Sequence, residues 1–447
     1  MNKNLYRLVF DKKRGMTVAV AETVVSCKKN QPGEGGAMLA RQAQVWLCRV
    51  KWVALGASLA AGTAWPLGAM SAGSLPSGAN VVAGQVTVTQ PSAQQLQIVQ
   101  QSGRAVVQWN SFDIGAGNAV QFIQPGSTSQ ILNRVVSGST TQILGSLTAN
   151  GQVFIVNPYG VMFGHGAVIN VGSILASTKD INTDAFMAGC ATLSLLRSSN
   201  TTGLVQNDGT INAPGGYVVL LGDQVRNTGT IQANGGKVVL LAGDRATVVL
   251  NNGLLAGVTL DAASADALVE NAGQIDAQGG QVLLSAKSAN ALLNNVINLS
   301  GVINASNGGQ VTLDGGAQGV VNLTGATIDV SSQTGQGGNV TVMGQYVGLF
   351  NGSEINANGA TGGGTVLVGG SFHGTDANVT NANMTILDAS SRIDASATQI
   401  GRGGNVAVWS DASTDFEGTI TARGGAQGVM EDLWRPRATI TFKHLGP

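Results

Sequence analysis

The chain has 447 residues, of which 11% are charged, 4% are aromatic and 64 are glycine. A hydrophobic fraction of 43% excludes a disordered chain, because disordered chains combine few apolar residues with a high net charge. The formal net charge is zero, yet residues 1–72 carry ten Lys and Arg against three Asp and Glu, so the rest of the chain is acidic. An acidic, sparsely charged body argues against nucleic acid as a partner.

The first 72 residues have the organisation of a long secretory leader. An apolar stretch at 52–64 follows Arg49 and Lys51 and precedes the small residues 69–72, which predicts a signal peptide cleaved between 64 and 72. The stretch is shorter than the roughly 20 residues of a membrane-spanning helix. Further residues precede this signal, and we interpret the whole of 1–72 as an extended signal peptide that directs the chain to the general secretion machinery.

Between the leader and residue 178 the apolar runs are interrupted by motifs rich in aromatic, proline and asparagine residues. Residues 75–130, where the regular pattern is broken, are predicted to form an amino-terminal β cap. Such a cap covers the unpaired backbone edge at the first coil of the stacked β-strands that follow. Ten residues of these motifs stand out from the regular pattern as candidates for a functional or folding motif: Arg104, Trp109, Phe112, Asp113, Asn133, Arg134, Asn157, Pro158, Tyr159 and Gly160.

The last four of these residues follow the apolar run 153–156 and predict a tight turn, with Pro at its second position and Gly at its fourth. Two interpretations are open for this turn. It could serve folding alone, or it could be a recognition site for an export partner.

From residue 205 to residue 420 one short phrase recurs: an isoleucine, a small polar pair, two glycines and three or four apolar residues. Its isoleucines are Ile211, Ile231, Ile275, Ile303, Ile328, Ile355, Ile393 and Ile420. Their spacing of 20 to 44 residues fits two or three short strands with turns and occasional insertions in each unit.

Units of this size cannot bury their own apolar face, so they are stable only when stacked. Apolar runs such as 218–221 are short, β-branched and flanked by glycine, which indicates strands. We therefore predict an all-β fold, a right-handed parallel β-helix (solenoid) with an amino-terminal β cap. Asn207, Asn227 and Asn271 precede the isoleucines at equivalent places and suit turns or a stacked asparagine ladder.

No catalytic, cofactor or metal site is predicted. The three histidines, His165, His373 and His444, have no Cys, Glu or His partner at metal-ligand spacing. Acidic residues are scattered singly beside turn residues, at Asp208, Asp223, Asp244, Asp276, Asp314 and Asp329. Because β-helical polysaccharide-degrading enzymes need clustered carboxylates, such a secreted enzyme is kept only as the alternative function.

Cys190 is the only cysteine beyond the leader, so no intramolecular disulfide is available in the body of the chain. Two explanations stay open. A continuous core needs no covalent cross-link, or a chain that crosses a pore unfolded is better without loops closed by disulfides.

The motifs at 2–10 and 14–22 resemble the extended signal peptide region of type V secreted proteins. Residues 75–178 resemble the secretion domain of the filamentous haemagglutinin family, on the phrases 104–115, 120–125, 132–135, 149–164 and 171–178. Family members usually have Asn-Pro-Asn-Gly where this chain has residues 157–160. The chain lacks the Asn-Pro-Asn-Leu tetrapeptide, which places it nearer the high-molecular-weight adhesin type.

This resemblance implies a two-partner secretion exoprotein of Gram-negative bacteria. It implies a secretion domain at 75–300 with its core motifs at 75–178, followed by a β-helical repeat shaft at 301–428. An outer-membrane partner transporter is expected to recognise the secretion domain through its periplasmic domains. The function implied is that of a secreted or surface-exposed adhesin-type exoprotein, a monomer whose host or bacterial surface ligand the sequence does not identify.

Residues 429–447 differ in character from the repeats that precede them. Charged, Trp and Pro residues replace the glycine-rich phrase with which family members usually continue. We interpret this segment as an aberrant tail produced by truncation and expect that a longer effector region once followed residue 428.

Overall fold

The computed structural model describes residues 74–199, 201–289 and 295–426 in full. It also gives the backbone of Tyr6–Asp11 and Met16–Ala21, which pair antiparallel, and of Thr439–Phe442. The two leader strands belong to a unit of their own. The predicted apolar stretch of the signal peptide, the cleavage region and most of the predicted tail lie outside the described residues.

Three long sheets run through the main unit, and in each coil the chain visits them in the order sheet 1, sheet 2, sheet 3. The strands of sheet 1 are Val86–Ser92, Gln95–Gln100, Ala119–Ile123, Ser146–Ala149, Val168–Asn170, Thr210–Asn212, Thr230–Gln232, Gln274–Asp276, Val302–Asn304, Thr327–Asp329, Glu354–Asn356, Arg392–Asp394 and Thr419–Thr421.

The strands of sheet 2 are Asn80–Ala83, Arg104–Trp109, Gln130–Val135, Gln152–Val156, Ser173–Ser177, Tyr217–Gly222, Lys237–Ala242, Gln281–Ala286, Gln310–Asp314, Asn339–Met343, Thr365–Val368, Asn405–Val408 and Thr439–Phe442. The strands of sheet 3 are Thr141–Ile143, Val161–Phe163, Leu204–Asn207, Gln224–Asn227, Leu268–Asn271, Asn295–Leu299, Val320–Thr324, Tyr346–Phe350, Met384–Leu387 and Ser413–Phe416.

From Gln95 onward each strand of these sheets pairs in parallel with the equivalent strand one coil later. The repeated isoleucines lie in register, so that Ile211 faces Ile231, Ile231 faces Ile275, and the column continues to Ile420. Apolar side chains from all three sheets point inward and form one continuous core. The predicted all-β parallel β-helix is confirmed.

The paired glycines of the repeat lie at the corner between sheet 1 and sheet 2. In the four pairs from 215–216 to 308–309 the first glycine has a positive φ, which is +71° at Gly215 and at Gly235. The second lies against the previous coil, because a Cβ on Gly236 would lie 2.0 Å from the carbonyl oxygen of Gly216. Both positions therefore exclude side chains, the first by conformation and the second by contact.

Three fully buried asparagines on sheet 3 form a ladder inside the core. The Nδ2 of Asn207 donates to the Oδ1 of Asn227 at 2.8 Å, and the Nδ2 of Asn227 donates to the Oδ1 of Asn271 at 2.7 Å. The ladder ends where the register places Phe163 before Asn207 and Leu299 after Asn271. The predicted ladder is present and spans three coils.

The amino-terminal cap consists of two antiparallel strands. Asn80–Ala83 covers the first parallel strand of sheet 2, and Val86–Ser92 covers that of sheet 1. The predicted cap, residues 75–130, is too long, because Gln95–Gln100 and Arg104–Trp109 already pair in parallel with the next coil. Trp109 breaks the repeat in sequence but still lies in a regular strand.

A further sheet lies against the outer face of sheet 2, and the sequence patterns did not predict it. Its four antiparallel strands are Asp180–Ile181, Thr192–Leu196, Arg245–Asn251 and Leu254–Ala262, with the helix Thr183–Ala188 after the first. We call it the outer sheet. It buries a second hydrophobic cluster against the outward side chains of sheet 2. A short 3-10 helix, Phe372–Gly374, lies in a later insertion. None of the described helices is long and apolar enough to cross a membrane.

Replacement of Asn227 by Ala tests the ladder. The change leaves the Oδ1 of Asn271 without its donor and the Nδ2 of Asn207 with only a 3.4 Å contact to the carbonyl of Thr230. A buried polar group that loses its partner costs about 1–3 kcal/mol. We expect the free energy of unfolding to fall by about 2–5 kcal/mol in a urea titration. The control is Gln232→Ala, an exposed position on the strand that follows Asn227, where we expect a change within about 0.5 kcal/mol. Equal stability of the two variants would contradict the ladder's contribution.

Candidate functional site

The corner between sheet 2 and sheet 3 is where the longest described insertions leave the β-helix. One insertion separates Ser173–Ser177 from Leu204–Asn207, a second separates Lys237–Ala242 from Leu268–Asn271, and a third follows Thr365–Val368. We call this place the insertion corner. The predicted turn at 157–160 lies at the same corner, between the sheet 2 strand that ends at 156 and the sheet 3 strand that begins at 161.

Asn157 is fully buried and uses its whole amide group. Its Nδ2 donates to the carbonyl of Ser139 at 2.9 Å and to the Oγ1 of Thr141 at 3.0 Å. Its Oδ1 accepts from the backbone N–H of Tyr159 at 3.0 Å, and the N–H of Gly160 donates to the carbonyl of Asn157 at 3.0 Å. The predicted tight turn is therefore present, and Asn157 ties it to the preceding coil.

The other residues of the turn differ in exposure. Gly160 has a φ of +118°, and a Cβ there would lie 2.7 Å from the carbonyl oxygen of Leu204, so only glycine fits. The carbonyl of Pro158 accepts from the Oγ1 of Thr201 at 3.1 Å. Tyr159 is 39% exposed, which makes it the side chain that the turn presents to solvent.

Trp109, Phe112 and Asn133 are buried together in the first coils. The Nε1 of Trp109 donates to the Oδ1 of Asn133 at 3.0 Å, and the Nδ2 of Asn133 donates to the carbonyl of Phe154 at 3.2 Å. The rings of Trp109 and Phe112 meet edge to face, with centroids 5.3 Å apart. These three residues hold neighbouring coils together and are not accessible to a partner.

The three charged candidates each hold separate parts of the structure. Asp113 accepts from the backbone N–H of Gln142 at 2.8 Å. Arg104 donates from Nε to the Oε1 of Gln130 at 3.0 Å. Arg134 forms an ion pair with Asp180 at 2.9 Å and also donates to the carbonyl of Ile181 at 2.8 Å. Arg134 thus anchors the first insertion to the β-helix, and the structure does not join these charges into one site.

Four charged side chains that were not among the candidates meet at the insertion corner. Lys179 and Asp223, both 1% exposed, form an ion pair with Nζ and Oδ1 2.8 Å apart. Arg197 contacts the carboxylates of Asp223 and Asp244. The prediction that the acidic residues are isolated turn formers is wrong for Asp223 and Asp244. We call these four residues the corner cluster.

Burial and charge pairing perturb the titration of the corner cluster. Burial is the main cause that lowers the pKa of Lys179, and it outweighs the opposing effect of Asp223. Burial alone would raise the pKa of Asp244, but the hydrogen bond and charge of Arg197 lower it below its usual range. Burial alone would lower the pKa of Arg197, but Asp244 and Asp223 raise it. The cluster is therefore a compact, mutually neutralised group.

The corner cluster is linked to the turn through residues 201–203. The carboxylate of Asp223 accepts from the backbone N–H of Gly203 at 2.8 Å, and Arg197 donates to the carbonyl of Thr201 at 2.9 Å. Thr201 in turn donates to Pro158 in the turn. The position of the turn thus depends on both the previous coil and the corner cluster.

A groove of about 500 Å³ lies beside the corner cluster, between Arg134 and the first insertion. Leu196 lines it and is 48% exposed. The cations that line it are already paired, Arg134 with Asp180 and Arg197 with the corner cluster. Neither of these two arginines is therefore free to bind an anionic ligand in the groove.

Histidine, cysteine and acidic side chains are the groups in the described ranges that could bind a metal or form a thiol cross-link. Residues 74–199, 201–289 and 295–426 contain no group of three or more His, Cys, Asp and Glu that could hold a metal ion. His165 and His373 are exposed, and Cys190 is an exposed free thiol. His444 lies outside the described residues.

Several known proteins are similar to this chain. The TPS secretion domain family matches residues 72–323, and the extended signal peptide of the type V secretion system matches residues 1–48. The crystal structure of the HMW1 secretion domain from Haemophilus influenzae superimposes with a TM-score of 0.70 and 28% identity, over 82% of this chain and 98% of that one.

Two heme/hemopexin-binding proteins of Haemophilus influenzae share shorter segments with the chain. One is 46% identical over 100 residues, which is 22% of this chain and 11% of that protein. The other, from strain ATCC 51907, is 43% identical over 111 residues, which is 25% of this chain and 12% of that protein. The chain thus matches only a small part of the length of these relatives.

The leader match and the domain match together indicate a secreted protein, exported through the periplasm to the outer-membrane surface or the exterior. The predicted resemblance and localisation are confirmed. Because the family match covers more than half of its length, the chain belongs to the TPS secretion domain family, the exported proteins of two-partner secretion.

Proposed function

We propose that the coils from residue 75 to about 300 are the part of the chain that an outer-membrane partner transporter recognises, through its periplasmic domains, during export. The coils beyond residue 300 form a surface-exposed, adhesin-type shaft. The observation that carries this division is the outer face of sheet 2, which the outer sheet covers as far as Leu283 and not beyond.

The outward side chains of sheet 2 change character along the β-helix. From coil to coil they are apolar and buried under the outer sheet, at Val106, Leu132, Phe154, Leu175, Val219 and Val239. After Leu283 the equivalent places in the next two coils are polar, at Thr312 and Thr341, and the last two described coils have Leu367 and Ala407 there. Sheet 2 thus has apolar side chains on both faces before about residue 300, and alternating apolar and polar side chains just after it. This change supports a functional boundary there.

Strand addition is the mode of recognition that we propose, because a free sheet edge offers unpaired N–H and C=O groups to an extended segment. Leu254–Ala262, the longest described strand, pairs on one side only, with Arg245–Asn251. Its Leu254 is 59% exposed. A groove of about 220 Å³ lies between this strand and sheet 2 and is lined by Val239 and Leu283 among others. An added strand could place alternate apolar side chains in this groove.

The names of the relatives suggest different roles beyond export. The heme/hemopexin-binding proteins share only 11% and 12% of their length with this chain. A short segment shared with such proteins fits a common export module better than a common ligand site. We therefore assign the adhesin-type role to the shaft and assign no heme ligand to the described coils.

The alternative, a secreted polysaccharide-degrading enzyme, finds little support in the corner cluster. The cluster is the one group of carboxylates with Lys and Arg that we identify in the described coils. Asp223 is 1% exposed, and both carboxylates are engaged by Arg197. A glycosidase needs two carboxyl groups that reach opposite sides of an accessible sugar bond. We propose a secretion and binding protein on this ground.

Co-expression with the cognate transporter tests the proposed function. We expect residues after the leader in the medium or at the cell surface when the transporter is present, and in the periplasm when it is absent. Measurement is by immunoblot of the separated fractions, with a periplasmic marker enzyme as the leakage control. Export that is independent of the transporter, together with lyase or hydrolase activity on an acidic polysaccharide, would overturn the proposal in favour of the enzyme.

A charged substitution in the proposed docking strand, Leu254–Ala262, tests recognition by strand addition. Leu254→Lys places a cation at an exposed apolar position, so we expect the affinity for the transporter's isolated periplasmic domains to fall about tenfold, which is about 1.4 kcal/mol. The matched control is Ile400→Lys, which is similarly exposed but lies in the shaft, and it should bind like the parent. Equal loss in both variants, or in neither, would contradict docking at Leu254–Ala262.

The turn at 157–160 can be divided into a folding part and an exposed part. Asn157→Ala leaves Ser139 and Thr141 without a buried donor, so we expect a loss of about 1–3 kcal/mol in stability and a parallel loss of export. Tyr159→Ser changes an exposed side chain, so thermal stability should stay within about 0.5 kcal/mol of the parent. Loss of export in the stable Tyr159 variant supports recognition at the turn, whereas normal export assigns the turn to folding alone.

A further inference from the structure

The corner cluster brings a lysine amine against an aspartate carboxyl group in a site almost closed to water. The Nζ of Lys179 lies 2.8 Å from the Oδ1 of Asp223, and both side chains are 1% exposed. The two residues occupy the same register position on adjacent coils, because Ser177 pairs with Leu221 and each charged residue follows two places later. A second carboxyl group, that of Asp244, lies 3.9 Å from the same nitrogen.

We propose that Lys179 and Asp223 form an intramolecular isopeptide bond, with Asp244 as the proton-transfer group. The Nζ of Lys179 attacks the Cγ of Asp223, an N–C bond forms, and one C–O bond of the carboxyl group breaks. Of the three protons on the ammonium group, one remains on the amide nitrogen and two leave with the departing oxygen as water. The ammonium and carboxylate charges cancel, and no oxidant, reductant or other reactant is required.

Burial makes the amine of Lys179 available for this reaction. An amine is a nucleophile only when it is unprotonated, and desolvation lowers the pKa of Lys179. In a site closed to water a neutral amine and a neutral carboxylic acid cost less to bury than a pair of ions. Transfer of a proton from Nζ to a neighbouring carboxylate therefore yields the reactive pair.

Hydrogen-bond donors surround the carboxyl group that would be attacked. The backbone N–H of Gly203 donates to the Oδ2 of Asp223 at 2.8 Å, and the Oγ of Ser264 lies 3.3 Å from its Oδ1. The guanidinium of Arg197 contacts the same Oδ1. These groups are placed to stabilise the negative charge that the tetrahedral intermediate carries on oxygen. Asp244 is the second carboxyl group within reach of Nζ and can carry its proton to the departing oxygen.

The bond would cross-link two adjacent coils at the insertion corner, beside the base of both insertions that build the outer sheet. Its formation requires both coils to be folded, because 43 residues separate the two reacting side chains in sequence. A chain that is exported unfolded would thus acquire its cross-link only after folding. Cys190 is the only cysteine after the leader, so no intramolecular disulfide can cross-link the coils. The isopeptide bond would be a covalent cross-link in its place. This inference goes beyond the proposed function and does not depend on which partner exports the chain.

Intact-mass spectrometry of the purified full chain decides the question. We expect a mass about 18 Da below the value calculated from the sequence after the amino terminus has been identified, which corresponds to loss of one water. Tryptic digestion should give a branched peptide that joins the segments around Lys179 and Asp223, with no cleavage after Lys179. A full calculated mass, with the two segments recovered separately and cleavage after Lys179, would show an ion pair only and would overturn the proposal.

Variants assign the roles within the cluster. Lys179→Arg keeps the positive charge but cannot form the amide, so the mass deficit should disappear. Asp244→Asn should leave a measurable fraction of the chain without the cross-link, because the proton carrier is lost. The matched control is Lys237→Arg, since the Nζ of Lys237 donates to the carbonyl of Ala256 and not to a carboxylate, and it should retain the full deficit. An undiminished deficit in Lys179→Arg would place the modification elsewhere and contradict the assignment.

Discussion

In-register parallel stacking is the constraint on which the rest of this structure depends. Each strand hydrogen-bonds to the equivalent strand one coil later, so each side chain meets the residue at the same position of the next coil. The side chains of one column must therefore be compatible with their neighbours in the adjacent coils. Isoleucines stack into a core, and asparagines satisfy one another. On the outer edge of sheet 1, carboxylates alternate with amides, so that like charges are never adjacent: Asp276, Asn304, Asp329, Asn356 and Asp394.

The insertion corner departs from this regular stacking, and the corner cluster lies there. Stacking fixes sheet 1 and sheet 2 tightly through the paired glycines, which leave no space for a side chain between coils. At the insertion corner the coils are not in such close contact throughout. It therefore accepts a turn at 157–160, a helix with two strands, and a hairpin. Residues from different insertions meet there, and Arg197 of the first insertion and Asp244 of the second join the ion pair of Lys179 with Asp223.

The regular part of the fold could be predicted from the sequence because stacking repeats the same residue types at recognisable intervals. The outer sheet could not be placed, although its signal was present. The runs at 218–221 and 238–241 are apolar at every position because both faces of sheet 2 are covered there, whereas 310–314 alternates because one face is exposed. The corner cluster was missed for a different reason. Lys179 and Asp223 are neighbours because Ser177 and Leu221 pair on adjacent coils, but the insertion between them follows no period and hides that register in the sequence.

The same distinction explains which residues of the turn can vary. Asn157 satisfies two groups of the preceding coil from inside the protein, and Gly160 has both a positive φ and no space for a Cβ. The third position, Tyr159, points outward, so a residue other than the Asn usual in the family leaves the turn intact. The third position has the most exposed side chain of the turn, while the first and fourth act through the fold. Residues 201–203 connect the turn to the corner cluster, so the position of the turn depends on the contacts of the first insertion.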